Sequence, residues 1–182
     1  MEDLDFLKKV CEADAPSGRE DWLYSIIEDG FKEFGNITMS KMNNIYIYKK
    51  GKSSSKIMIM AHADEVFLMV NEISREGFLK FKAVGIDPKS LVSQEVVIHG
   101  KERIKGIVAL KPAYEDKDRN KIKMENLYID TGYNFEKLND LVNIGDYITL
   151  KRNMSQLLNE NICGKAVDNR ASIAAMYICA AE

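Results

Sequence analysis

Only two histidines occur in the chain, so chemistry that needs an imidazole falls to His62 or His99. His62 opens the run His62-Ala63-Asp64-Glu65. In extended backbone, residues two apart point to the same side, which brings the Asp64 carboxylate to the His62 ring. A carboxylate beside an imidazole fixes the tautomer and raises ligand basicity, the usual support of a metal-bound histidine. Alone, the pair serves equally as a structural contact. His99 ends the run Val96-Val97-Ile98-His99 and reads as a structural residue at a strand end. Asp168, beside Asn169 and Arg170, leads into a strongly apolar stretch. Three roles fit it: a helix cap, an ion pair with Arg170, or a metal ligand. A glycosidase pair from Asp64, Glu65 and Asp168 is possible in principle, though nothing distinguishes these acids from the others. The dinucleotide and phosphate-loop glycine patterns are missing, as is the GxSxG elbow. No local pattern supports Cys11 or Cys163 as a nucleophile near His62.

The elements that would carry these residues begin with helices. Leu4, Leu7, Val10 and Cys11 follow helical spacing until Ala15-Pro16 breaks it. Ser17-Gly18-Arg19-Glu20 reads as a capping box. Behind it Trp22, Leu23, Ile26, Ile27, Phe31 and Phe34 form an apolar face, with Gly35 at the C-terminal end. The period then changes to two. Strands are expected at 36–41, 45–49 and 56–61, with Asn43-Asn44 as a turn that tolerates positive φ. The third, Lys56–Ala61, is almost wholly apolar, as a strand covered on both faces should be. Helices followed by such a strand point to an α/β fold, with His62 and Asp64 at the strand end where sites collect.

From about Val66 to Arg152 the pattern is of short strands: 66–73, 78–84, 94–99, 103–110, 126–130 and 146–151. These suggest a small barrel or sandwich. A helix over 134–142, capped by Asn134, interrupts them, and the charge-rich Glu115–Lys123 reads as a solvated loop. In Ala171–Ala181 ten of eleven residues are apolar, which predicts a helix buried all round. Such a helix needs cover on every side, so the fold is expected to continue past Glu182.

Basic and acidic residues nearly balance, 26 against 28, which argues against a nucleic-acid partner. Apolar runs are far shorter than a membrane span needs, and the acidic first residues do not resemble a secretory leader. Three cysteines without a CxxC pair read as small hydrophobes, not as a disulfide or zinc framework. A cytoplasmic, folded chain without membrane attachment is expected.

Four motifs carry a family resemblance: Ala15-Pro16-Ser17-Gly18-Arg19-Glu20, Ala61-His62-Ala63-Asp64-Glu65-Val66, Ile129-Asp130-Thr131-Gly132, and Gly164-Lys165-Ala166-Val167-Asp168-Asn169-Arg170-Ala171. In order and spacing the chain resembles the M42 family of metallo-aminopeptidases (the glutamyl or deblocking aminopeptidase type), its N-terminal half only. The resemblance implies a partial α/β/α metallopeptidase domain of the phosphorylase/hydrolase-like class over 1–65 and 156–182. A small inserted β-barrel, PDZ-like, would occupy 66–155 and serve dimerisation and substrate access. It further implies two divalent ions, zinc or cobalt, with His62 a metal ligand, Asp64 orienting His62, Asp168 bridging the ions, and a cis Asp168–Asn169 peptide. Short peptides would be the substrate, and a homo-oligomer from dimer to dodecamer the assembly.

The chain also departs from that pattern. Phe67 stands where the family has glycine, and Val84-Gly85 replaces Gly-Gly. The family's second half, which supplies the general-base glutamate and further metal ligands, cannot be assigned to any residue here. The chain alone is therefore expected to bind metal weakly or not at all and to be inactive. Two other functions stay open: a non-catalytic truncated product acting as an oligomerisation module, and a carbohydrate hydrolase of the kind labelled endoglucanase.

Overall fold

The structure, a computed structural model, describes residues 2–83, 85–111 and 122–182. In chain order the elements are α1 (Glu2–Glu12), α2 (Asp21–Phe31), β1 (Asn36–Met39), β2 (Ile45–Tyr48), β3 (Leu68–Ile73), β4 (Phe78–Ala83), α3 (Pro88–Leu91), β5 (Glu95–His99), β6 (Arg103–Leu110), β7 (Leu127–Asp130), α4 (Phe135–Leu141), β8 (Tyr147–Leu150), β9 (Ser155–Gln156), β10 (Ile162–Cys163) and α5 (Val167–Ala181). A 3-10 turn, Met124–Asn126, precedes β7. Most of the expected charged loop (115–121) and Val84 lie outside the described residues. The chain divides into two units, Met1–Glu65 with Asn153–Glu182, and Val66–Arg152.

In the first unit α1, α2 and α5 pack around Phe6, Val10, Leu23, Ile27, Phe31, Ile173 and Ala174. Phe6 stacks on Tyr177 at 4.2 Å, and Phe31 meets both edge-on at 6.0 and 5.7 Å. Each such pair adds roughly 0.5–1.5 kcal/mol beyond area burial. The β1–β2 hairpin pairs Asn36 with Tyr48 through Met39 with Ile45, and its Ile37, Ile45 and Ile47 lie against the same core. Asn43 takes the positive φ, 59°, that its turn demands.

Several expectations are corrected here. Lys56–Ala61 pairs with no described strand, and Ile57, Met58, Ile59 and Met60 are 63–89 % exposed. A strand apolar on both sides needs a neighbour at each edge and cover on each face, and the described residues supply neither. α5 is likewise buried along one side only, at Arg170, Ile173 and Ala174, while Ala171, Ala175 and Ile178 are exposed. Trp22 is exposed and does not join the buried Leu23, Ile27 and Phe31. Gly35 does not cap α2, whose C-cap is Lys32. Instead a Cβ at Gly35 would lie 2.3 Å from the Tyr48 carbonyl oxygen, so glycine admits β2. Cys11 is buried as expected, but Cys179 is exposed.

The second unit is a closed six-stranded antiparallel barrel in the order β3-β4-β7-β6-β5-β8, closed by β8 on β3. Closure leaves no long unpaired edge. Alternate residues fill it: Leu68 and Val70, Leu79 and Phe81, Val96 and Ile98, Leu127 and Ile129. Gly106 is required where β6 meets β7, because a Cβ there would lie 2.6 Å from Ile129 Cγ2. Asn134 caps α4 by accepting from the Lys137 amide at 3.0 Å, and Leu138 closes the core. Phe67 packs on Tyr147, ring centroids 5.1 Å apart. His99 shares a hydrogen bond with Thr149 Oγ1 at 2.8 Å, in keeping with a structural residue.

Candidate functional site

His62, Asp64 and Asp168 meet within the first unit. His62 follows the exposed apolar segment 56–61, and Asp64 lies two residues on, as extended backbone allows. Asp168 reaches the pair from the start of α5, where its own backbone and that of Asn169 are non-helical and the peptide between them is cis. Ala166 just before holds a left-handed φ of 54°, a conformation costly to a residue with a Cβ.

The imidazole lies between two carboxylates. Its Nδ1 is 3.2 Å from Asp64 Oδ1 and its Nε2 is 3.3 Å from Asp168 Oδ1. Ser17 Oγ donates to the other Asp64 oxygen. This corrects the capping-box reading: α2 starts at Asp21 without a side-chain cap, and Glu20 instead accepts from the Gly18 amide at 2.7 Å. Asp168 forms neither the cap nor the Arg170 ion pair that its sequence position allows; its carboxylate turns to His62 with its side chain 95 % exposed. A proton on Nδ1, facing Asp64, leaves a lone pair on Nε2. Two acceptors then face each other at Nε2 and Oδ1, an arrangement that suits a cation between them.

The donor set fits such an ion in part. Zinc–nitrogen and zinc–oxygen bonds of about 2.0–2.2 Å at a tetrahedral angle place two donors about 3.3–3.5 Å apart. The His62–Asp168 separation matches that edge. Among the described residues, no group of three or more His, Cys, Asp or Glu gathers as a metal cage.

Next to the exposed trio lies a buried polar network that the sequence reading missed. Glu65 is buried and accepts from the Ala15 amide at 2.9 Å and from Lys165 Nζ at 3.0 Å. Lys165 also holds Asp14 Oδ1 at 2.6 Å. Arg170 is fully buried, and its partners are main-chain carbonyls: Ala63 at 3.0 Å, Val10 at 2.7 Å and Ala13 at 2.6 Å. Burial works against the guanidinium charge, and the Glu65 carboxylate at 3.8 Å opposes that shift. Glu65 is thus engaged by Lys165 and the Ala15 amide. The motif residues Glu65, Lys165 and Arg170 were visible, but their backbone partners leave no trace in side-chain pattern.

The model of the M42 glutamyl aminopeptidase family matches residues 43–182, and the chain belongs to that family. It is 34 % identical to a putative aminopeptidase of Acetivibrio thermocellus, over 94 % of this chain and 51 % of that protein. Against the lysyl aminopeptidase of Pyrococcus furiosus identity is 27 %, over 100 % and 55 %. The chain thus spans about half the length of the curated relatives it matches. Among solved structures, an aminopeptidase of the archaeon Desulfurococcus kamchatkensis superposes with a TM-score of 0.90 at 28 % identity, over 99 % of this chain and 51 % of that one. The Pyrococcus horikoshii TET1 peptidase, which can assemble into a tetrahedron or a large octahedral shell, gives 0.82 at 27 %, over 97 % and 55 %. An endoglucanase of Thermotoga maritima gives 0.80 at 27 %, over 96 % and 53 %. The α/β fold is that of M42 aminopeptidase structures.

Proposed function

We propose that this chain is the N-terminal half of a binuclear metal-dependent aminopeptidase that removes N-terminal residues from short peptides. The observation that carries the reading is His62, set between Asp64 and Asp168 across 106 residues of chain, with Nε2 and Asp168 Oδ1 at the spacing of two donors on one ion. His62 and Asp168 would hold zinc or cobalt, with Asp168 shared between two ions. When bound, such ions supply Lewis-acid polarisation of the scissile carbonyl, a nucleophilic water at neutral pH and an anchor for the free amino group.

The chain's own residues prepare that site. Asp64 keeps the proton on His62 Nδ1 and aims Nε2 outward. Ser17 donates to the second Asp64 oxygen and so helps to hold the carboxylate against the ring. Asp64 is committed to these two partners and is not free to serve as a general base. By the family resemblance that duty falls to a glutamate in the part of the relatives' length this chain does not span.

The same reading takes 1–65 with 156–182 as part of the catalytic domain. The barrel, 66–155, is the inserted PDZ-like domain for dimerisation and substrate access. The shells formed by the TET1 peptidase support a homo-oligomer for the full-length protein. We place it in the cytoplasm.

Catalytic zinc normally keeps three protein ligands and a water. With two, this chain alone binds zinc weakly and does not hydrolyse aminoacyl-p-nitroanilides. Metal analysis after dialysis, together with that assay, tests both points, and stoichiometric tight zinc or turnover would overturn them. A product carrying the rest of the family's length is expected to release N-terminal residues in a chelator-sensitive way. The likeness to the Thermotoga endoglucanase raises glucan hydrolysis as a third, less favoured reading behind the oligomerisation module, and the same product separates it by activity on peptides or on glucans.

A further inference from the structure

The side chains of His62 and Asp168 are 55 % and 95 % exposed, so packing does little to fix them. Their separation must be set by the main chain that carries them. We propose that Arg170 is the positioning residue that sets it. The proposal rests on the reading of His62 and Asp168 as a metal pair.

Arg170 follows Asp168 by two residues, and its Nε donates to the carbonyl of Ala63, the residue between His62 and Asp64. One planar group therefore joins both segments of the site. Its Nη1 fixes the same guanidinium to a third point, the Val10 and Ala13 carbonyls at and beyond the end of α1, with Cys11 at 3.3 Å. Nη2 makes no hydrogen bond and faces Glu65 at 3.8 Å. A second tie runs parallel to the first. Glu65, next to Asp64, binds Lys165, three residues before Asp168, while the Glu65 amide donates to Ala15.

Replacing a buried ion group by apolar residues of similar volume is often neutral or stabilising. A fully buried arginine whose four hydrogen bonds all go to main-chain carbonyls is therefore better explained by geometry than by stability. Lysine carries the charge but not the rigid fork, so it cannot hold Ala63 and the end of α1 at once.

The two histidines make the test direct, because His99 lies in the barrel and serves as an internal control. Long-range proton–nitrogen spectra of the full chain, recorded during a zinc titration, resolve the two rings. In the unsubstituted protein zinc is expected to move the His62 signals and leave His99 alone. In Arg170→Lys the apo His62 signals should broaden or shift, and about tenfold to a hundredfold more zinc should be needed. A folded Arg170→Lys with unchanged His62 signals and zinc response overturns the proposal, whatever its melting temperature. If His62 of the unsubstituted protein ignores zinc, the metal reading fails, and the apo His62 signals alone decide the positioning role. Should Arg170→Lys not fold, Glu65→Gln keeps an acceptor for Ala15 but removes the charge facing Lys165 and Arg170. There a smaller change in His62 is expected, and an unaltered His62 overturns the proposal.

Discussion

Cys11 and Cys179 are chemically identical, and their surroundings separate them. Cys11 is buried, and burial pushes its thiol up, away from the reactive thiolate. Cys179 stands exposed on the outer side of α5. Iodoacetamide near pH 8 should alkylate Cys179 roughly tenfold or more faster than Cys11, read by peptide mass spectrometry; equal rates would contradict the burial of Cys11. The same contrast explains what was legible at this scale. The His62–Asp64 pair followed from spacing alone, because alternation in extended backbone is local. Asp168 joined them only through family resemblance, since nothing local spans 106 residues. By sequence position Ser17 suggests a cap and Arg170 an ion-pair partner for Asp168. Their actual partners, the far oxygen of Asp64 and a set of backbone carbonyls, belong to distant segments.

At the scale of elements, the barrel strands were legible because each alternates and ends at a polar turn. β6 is legible at its full extent, Arg103–Leu110, and so is Asn134 as the cap of α4. Lys56–Ala61 failed for a physical reason: an apolar run states that a segment can be buried, not that a neighbour is present. Its four large apolar side chains, Ile57 to Met60, instead lie open. Such a segment, unpaired and free of proline, is an adhesive edge. Ile57→Lys with Ile59→Lys is therefore expected to lower both anilinonaphthalene sulfonate fluorescence and light scattering. Stability should change by no more than about 0.5 kcal/mol per substitution, as for other surface positions. Unchanged fluorescence would mean that the segment is covered in solution.

For the whole molecule, the two units hold separate cores, one built on Phe6, Phe31 and Ile173 and the other on Leu79, Ile98 and Ile148. Denaturant unfolding should accordingly resolve two transitions, since single-domain cooperativity does not extend across independent cores. Ile148→Ala, at a fully buried position, should weaken the barrel transition by about 2–5 kcal/mol. Signals from the Phe6–Tyr177 cluster should not move with it, and a shift of both transitions together would show one cooperative body.

Barrel closure has one more consequence. Because Leu68 is the register partner of Ile148, the strand that enters the barrel and the strand that leaves it lie side by side. The span from His62 to Asp168, 106 residues along the chain, is short-circuited to six residues before Leu68 and twenty after Ile148. Loop-closure entropy grows with the logarithm of length, so an ordered barrel lowers the cost of bringing the two ligands together by about 1 kcal/mol. A segment that contributes no side chain to the trio thus acts as its clasp for as long as the barrel stays folded.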